Sequence, residues 1–236
     1  MKILGLIPAR GGSKGVVKKN VKVLGAQPLI AYTISAAKKS KLLSAIIVST
    51  DSDEIYSIAE SHGVKSPFLR PEHLAQDHST SLEVVQHAVE FYEKQGVFFD
   101  AVCLLQPTNP FREKGFIDRA INRFIESGAD SLVSVLPVPH EYNPHWVFTP
   151  DDRGFLKIST GEQTIIPRRQ ELPEAFHRDG SMYIARTSTI KNGSLFGNSI
   201  VYIESNPVLY VNIDTLTDWE NAERLVKNPE IMQLID

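Results

Sequence analysis

Cysteine is almost missing from this sequence: Cys103 is the only one among 236 residues. A lone cysteine excludes an intrachain disulfide and a metal site built from cysteines alone. Cys103 lies in the apolar run AVCLL and reads as a core residue, not a nucleophile. An excess of one charge is missing as well. Lys plus Arg number 25, Asp plus Glu 28, and the formal net charge is −3. That balance argues against a general affinity for nucleic acid and leaves room only for a local basic patch. No stretch approaches the roughly 18 apolar residues of a membrane span. The opening run ILGLI stops at Pro8 and Arg10, too short for a signal peptide. The expectation is a soluble, cytoplasmic protein with no membrane partner. Internal repeats and low-complexity tracts are absent. So are two phosphate-binding signatures, the dinucleotide G-x-G-x-x-G and the Walker G-x-x-x-x-G-K-S/T.

What is present is ordinary soluble composition, 42% hydrophobic and 22% charged. The length suits one core domain with an added lobe. Residues 2–7, 44–49, 101–105 and 131–136 read as buried strands. Residues 28–39, 53–62, 81–94 and 113–127 read as helices between and after them. Asp51, Ser52 or Asp53 can cap the second helix and Gly63 can end it. The alternation predicts an α/β fold, a Rossmann-like and mostly parallel sheet with helices on both faces.

The pattern breaks after residue 136, where Pro137, Pro139, Pro144 and Pro150 crowd one stretch. Residues 146–149 and 155–158 read as a hairpin turning at Gly154. The segment 138–178 is therefore expected to project from a core made of 1–137 and 179–236. Strand character resumes at 182–185, 200–203 and 209–213, and a helix over 218–226 closes the pattern. A hairpin carrying Trp146, Phe148 and Phe155 buries little by itself. It is expected to pack on a second copy, giving a homodimer; folding back on its own domain is the alternative.

The most informative segment is IPARGGSKGVVKKN, directly after the first strand, where open α/β sheets bind ligands. Gly11, Gly12 and Gly15 let the backbone turn tightly and present N–H groups to anionic oxygens. Arg10, Lys14 and Lys19 place cations around that loop, and Lys18 competes with Lys19 for the role. An arginine fork and mobile lysines suit a triphosphate and the charge that develops at phosphorus during displacement. An exposed basic turn with glycines for geometry alone is the plain alternative.

Other candidates stand at the ends of predicted strands. Asp51 and Asp53 are explained by helix capping at least as well as by chemistry. Asn20 offers a donor and an acceptor, as a ribose or pyrimidine requires. Arg70 can read a carbonyl or form a surface ion pair. Gln106 begins the rigid loop QPTNP and can bond a carboxylate or hydroxyl, or simply shape the loop. Arg112 can cap or pair with Glu113. Arg168, Arg169 and Arg178 form a basic cluster suited to a carboxylate ligand, or a solvated lobe surface. His177 lacks a nearby nucleophile, and His140 and His145 lack zinc spacing. Asp214 is the best metal candidate, a hard carboxylate suited to an oxygen-preferring ion, with helix capping as its alternative.

These motifs resemble the cytidylyltransferases that activate nine-carbon 2-keto sugar acids. That family comprises the CMP-sialic acid synthetases (acylneuraminate cytidylyltransferases) and their CMP-legionaminic and CMP-pseudaminic acid relatives. The matching segments are IPARGGSKGVVKKN, VSTDSDEI, LRPEHLAQDHSTS, LLQPTNPFR, RRQELPEAFHRDGSMYI and NIDTLTDWENAE, in family order over residues 7–223. Lys19-Asn20 resembles the nine-carbon branch more than the enzymes for the eight-carbon acid Kdo. The resemblance implies a nucleotide-diphospho-sugar transferase-like fold with a projecting dimerisation lobe. It implies transfer of CMP from CTP to the 2-hydroxyl of the sugar acid, with Mg²⁺ required and pyrophosphate released. Arg10 and Lys19 are the implied catalytic residues on the triphosphate, with Gly11, Ser13 and Lys14 in the same loop. Asn20, Arg70 and Ser81 are the implied cytidine pocket. Gln106, Arg168, Arg169 and Asp179 are the implied sugar-acid contacts.

The sequence departs from the sialic acid branch twice. Asn212 stands before Asp214 where that branch commonly has two aspartates, so one metal ligand becomes neutral. Asp179 replaces a usual asparagine, which leaves a legionaminic- or pseudaminic-type acid open. A cytidylyltransferase for another acid such as Kdo, and a non-catalytic nucleotide- or sugar-binding relative, are the rival readings.

Overall fold

The computed structural model describes residues 1–235. β1 (Ile3–Pro8) leads through the glycine loop to a small ribbon, β2 (Val23–Leu24) with β3 (Gln27–Pro28), and then α1 (Leu29–Lys39). β4 (Ala45–Ser49), α2 (Asp53–Ser61), α3 (Ser81–Glu93), β5 (Ala101–Leu105), α4 (Phe116–Ser127) and β6 (Ser131–Pro137) come next. Beyond β6 lies a short hairpin, β7 (Phe148–Pro150) with β8 (Leu156–Ile158). The chain then returns through β9 (Phe176–Arg186), α5 (Thr187–Lys191), β10 (Ile200–Glu204), α6 (Leu216–Val226) and α7 (Pro229–Met232).

The main sheet has the order β10-β6-β9-β5-β1-β4. Its pairs are parallel except those of β9, which runs against both β5 and β6. Every residue of β5 is buried, as a strand covered on both faces requires. Alternate residues feed two layers. Ile3, Ile7, Cys103 and Leu105 pack with α1, α2 and α4. Leu4, Leu6, Val102 and Leu104 pack with α3 through Val85, Ala88 and Val89. Cys103 is fully buried, and burial pushes its thiol up to about 12, consistent with an inert core residue.

The chain leaves β1 for β4 on one side and later returns to β5 on the other. Connections that diverge in this way open a crevice at the carboxyl ends of the strands. Pro8, Ser49 and Leu105 therefore stand at one rim, and the loops after them face one another.

Three sequence expectations change. Residues 209–213 are not a strand: Pro207–Leu209 is a 3₁₀ turn, and residues 210–213 have no ladder partner. Leu209, Val211 and Ile213 alternate because they bury against Leu29, Tyr32 and Trp219 in a third core cluster. β9 is also much longer than 182–185. A bulge opposite Ser134 divides it, with Gly180 at φ 80, and this hides its period in the sequence. Residues 176–178 are consequently already in the sheet, paired with Val135, Leu136 and Pro137.

The hairpin is shorter than expected, and Trp146 lies before it in the 3₁₀ turn Pro144–Trp146. Trp146 donates its indole N–H to the Ile166 carbonyl at 2.8 Å, while Phe148, Phe155 and Leu156 are exposed. No helix among the described residues is long and apolar enough to cross a membrane.

Candidate active site

The glycine loop runs from the end of β1 along the rim and is fixed by its own backbone. A Cβ placed on Gly15 would overlap the carbonyl oxygen of Asp214, so the loop and the residue just before the α6 cap approach backbone to backbone. Asn20 is buried and donates from Nδ2 to the Arg10 carbonyl at 3.0 Å. Gly11 donates its N–H to Asp51 Oδ1 at 2.9 Å. Asp51 therefore braces the loop, while Ser52 caps α2 by accepting from the Ile55 N–H.

The two adjacent lysines part company here. Lys18 adopts φ 51, the only positive φ outside glycine among the described residues. Its carbonyl accepts from the N–H groups of Val21 and Lys22, both at 3.0 Å, closing a tight turn. The Lys18 ammonium lies outside the crevice, 2.8 Å from Glu54. Lys19 turns inward and is 12% exposed. Its Nζ donates to the Ile213 carbonyl at 2.5 Å and to Asp214 Oδ1 at 3.1 Å.

An open cleft of about 580 Å³ results, lined on one side by Arg10, Ser13, Lys14, Gly15, Lys19 and Asn20. Arg70, Ser81, Gln106 and Asp214 line the other sides. Residues from the two ends of the chain, Arg10 and Asp214 among them, thus share one cavity. Arg70 is buried against the end of β4, donating Nε to Ser49 Oγ at 3.0 Å and Nη2 to the Ser49 carbonyl. Burial lowers its pKa to about 10, which Asp51 opposes and Arg10 reinforces. Ser81 is the first residue of α3, behind a Thr80–Glu83 capping box, so that helix points its positive end at the cleft.

Gln106 donates Nε2 to Ser81 Oγ at 3.3 Å. Its own carbonyl accepts from Arg112 Nη2 at 2.9 Å, and the same nitrogen reaches the Ser181 carbonyl at 2.8 Å. Arg112 is buried and also donates to Thr33 Oγ1 at 3.1 Å, so it braces this loop from beneath. It neither caps a helix nor pairs with Glu113, whose carboxylate binds Arg119. Burial lowers the Arg112 pKa to about 10, opposed by Cys103 and Asp179.

Asp214 caps no helix with its side chain. Thr215 is the cap of α6, in a box with Asp218. The Asp214 carboxylate is 62% exposed, holding Lys19 with one oxygen and the Asn212 amide with the other at 2.8 Å. Burial raises the pKa of Asp218, but hydrogen bonds from Thr215 and the Asp214 N–H prevail and hold it below the ordinary aspartate range.

Several expected residues lie away from this cleft. Asp179 is buried in the β9 bulge, accepting from Ser134 Oγ at 2.5 Å, from the Ser181 N–H at 2.8 Å and from Ser205 Oγ. Its carboxylate is committed to holding the bulge. Arg168 and Arg169 are exposed on the projecting segment, where Arg168 lies 3.5 Å from Glu171. Asn212 lines an adjoining recess that shares Asp214 with the cleft. Gly11 lies behind the loop, in a small recess with Lys18 and Glu54.

Asp77 is the residue the sequence did not disclose. One of its oxygens is 2.8 Å from Arg10 Nη2, and the other pairs with Lys14. Lys14 holds its carboxyl below the ordinary range, by hydrogen bond and by charge, with Arg10 adding to the effect. Nothing in its spacing marks it, because the pairing depends on the 72–80 loop folding back over residues 10–14.

The chain is similar to known proteins over nearly its whole length. Residues 4–233 match a protein-family model described as Cytidylyltransferase. The chain is 37% identical over 229 residues to CMP-N,N'-diacetyllegionaminic acid synthase of Legionella pneumophila, covering 96% of this chain and 97% of that one. It is 31% identical over 230 residues to pseudaminic acid cytidylyltransferase of Campylobacter jejuni, with coverage of 96% and 97%. A solved CMP:2-keto-3-deoxy-manno-octonic acid synthetase complexed with CTP superposes with a TM-score of 0.70 at 18% identity, over 95% of this chain and 98% of that one. That likeness concerns the fold.

Proposed function

We propose that this chain, which belongs to the cytidylyltransferase family, transfers CMP from CTP to the 2-hydroxyl of a nine-carbon 2-keto sugar acid. The O2–Pα bond forms, the Pα–O–Pβ bond breaks, pyrophosphate leaves, and the hydroxyl proton passes to solvent. The observation that carries this reading is the convergence of Arg10, Lys14 and Lys19 in one cleft with Arg70, Gln106 and Asp214. The similarity to legionaminic and pseudaminic acid enzymes supports the choice of acid.

The cations suit the triphosphate. Arg10 offers a planar fork, and Lys19 is nearly desolvated, which strengthens its pull on charge developing near phosphorus. Catalysis here is alignment and electrostatics, with no covalent enzyme intermediate. Asn20, Arg70 and Ser81 line the cleft and would take the cytidine, and Gln106 the sugar acid. Asp179 serves the sugar side indirectly, by holding the bulge whose Ser181 carbonyl accepts the Gln106 N–H at 3.1 Å. Arg168 and Arg169 would meet the acid through the projecting lobe, expected over 138–178 but ending at 175 where β9 begins, which we take to be the dimerisation lobe. Cytoplasmic localisation is part of this proposal.

The donor set fits Mg²⁺. Among the described residues no three His, Cys, Asp or Glu side chains form a metal cage. Mg²⁺ needs none, since it binds through one or two carboxylates, substrate phosphates and retained waters. Asp214 would hold it; Asn212, the second candidate ligand, donates its amide N–H to the same carboxylate and so would orient Asp214. The bound ion would neutralise triphosphate charge.

The test is pyrophosphate release from CTP and Mg²⁺ over a panel of nine-carbon 2-keto acids and Kdo, with product masses. A CMP conjugate of a nine-carbon acid is expected, with turnover falling at least about 100-fold in Lys19→Ala or Arg10→Ala at unchanged circular dichroism. CTP binding without any conjugate would instead support a non-catalytic relative, and turnover of Kdo alone would reassign the acid.

A further inference from the structure

We infer that Asp77 is an internal anion that exchanges with the phosphates of the substrate, and that it speeds the departure of pyrophosphate. The inference rests on the triphosphate reading of the cleft given above and adds a residue to it.

The geometry is that of a ligand already in place. Arg10 Nη2 meets Asp77 Oδ1 at 2.8 Å, and Arg10 Nη1 donates to the Gln76 carbonyl at 2.7 Å. Both terminal nitrogens of the fork are thus engaged by two consecutive residues. Lys14 holds the second Asp77 oxygen. One carboxylate bridges two cations of the glycine loop, as two oxygens of a phosphate would.

The segment carrying Asp77 is suited to exchange. It joins Arg70 to Ser81, and Leu74, Gln76, Ser79 and Thr80 line the same cleft. Its only regular structure is the 3₁₀ turn Glu72–Leu74. Local bonds keep it folded as a unit: Gln76 donates its N–H to Ser79 Oγ at 3.0 Å, and Ser79 Oγ donates to the His73 carbonyl at 2.9 Å. It can therefore swing off Arg10 without unravelling. Asp77 is about half exposed, so its ion pairs are partly screened and weak enough to break.

A triphosphate carries more charge than one carboxylate and displaces it. After transfer, pyrophosphate has lost its covalent tie to the nucleoside. Asp77 then competes for Arg10 and Lys14 and lowers the free energy of the emptied site. The exchange moves ions only, and no bond is made or broken.

The test is calorimetric binding of inorganic pyrophosphate, with Mg²⁺, to the full chain and to Asp77→Asn and Asp77→Glu. Asp77→Asn is expected to bind pyrophosphate about 3- to 10-fold tighter, the scale of two exposed ion pairs removed from competition. Asp77→Glu, which keeps the charge, should lie nearer the unaltered chain. Stopped-flow displacement should show the gain in slower pyrophosphate release. Asp77→Asn binding equally or more weakly would overturn the inference, because a residue that merely shapes the site weakens it when lost. Absence of pyrophosphate binding in every form would overturn it too. A chain that binds pyrophosphate but forms no CMP conjugate would sink the proposed function while leaving the exchange standing.

Discussion

Gly11, Gly12 and Gly15 look equivalent in the sequence, yet the structure separates them by what an added methyl would meet. At Gly12 a Cβ finds nothing within 4 Å. At Gly11 it meets the Ser52 Cβ at 3.1 Å, a contact that a small shift relieves. At Gly15 it would lie inside the van der Waals envelope of the Asp214 carbonyl oxygen, and that oxygen belongs to the main chain. No rotamer change escapes this clash, so loop and residue 214 must separate. Overpacking of this kind costs about 1–3 kcal/mol, with Gly15→Ala at the upper end. For a chain of this size each kcal/mol lowers Tm by about 2–4 °C, so a loss of about 6–12 °C is expected. Activity should suffer more. The separation pulls Lys19 and Asp214 out of register with the loop, and a misplacement near 1 Å costs about 100-fold in rate. Gly12→Ala should change stability by less than about 0.5 kcal/mol, and Gly11→Ala should fall between. Thermal unfolding monitored by circular dichroism, with pyrophosphate-release kinetics on the same preparations, measures both effects. A Gly15→Ala variant with unchanged Tm and turnover would refute the close approach.

Two further substitutions probe the supports beneath the site. Arg112→Ala strips hydrogen bonds from the Gln106, Ser181 and Thr33 oxygens. It should cost about 3 kcal/mol or more in urea denaturation, with Arg112→Lys intermediate because an ammonium cannot fork; a midpoint unchanged by Arg112→Ala would show the guanidinium to be dispensable. Asp218→Ala removes the capping box of α6 and the bond to the Asp214 N–H at 3.0 Å, and should cost about 1 kcal/mol at neutral pH. Because folding lowers the Asp218 pKa, its contribution is full above the unfolded aspartate value near 3.9 and fades as pH falls through the lower folded value. Stability curves of the two proteins should therefore converge on acidification; a constant gap down to about pH 2 would refute the ionic part of the cap.

The legible part of the fold was the part governed by local pattern. β5 and α3 were readable because their apolar residues form a continuous buried run and a 3.6-residue stripe, both long enough to count. Residues 209–213 misled by the same kind of signal: Leu209, Val211 and Ile213 alternate like a strand, though a core cluster and not a ladder takes them up. β9 was underestimated because its bulge shifts the period in mid-strand. The glycine loop and most of its partners were nameable from residue type and motif. Motif also named Asp179, whose carboxylate turns inward to Ser134 and Ser205.

What the sequence determined by itself was chemistry and local form: an α/β alternation, a basic glycine turn after the first strand, one hard carboxylate before the last long helix, and the family. What only the tertiary structure decided was which of these groups meet. Lys18 and Lys19 differ by one position, and the left-handed turn at Lys18 sends one to Glu54 and the other to Asp214. Asp77 is 67 residues from Arg10 and holds it all the same. Ion pairs, backbone contacts and burial depend on distance in space, and sequence spacing sets that distance only within a single helix, strand or turn.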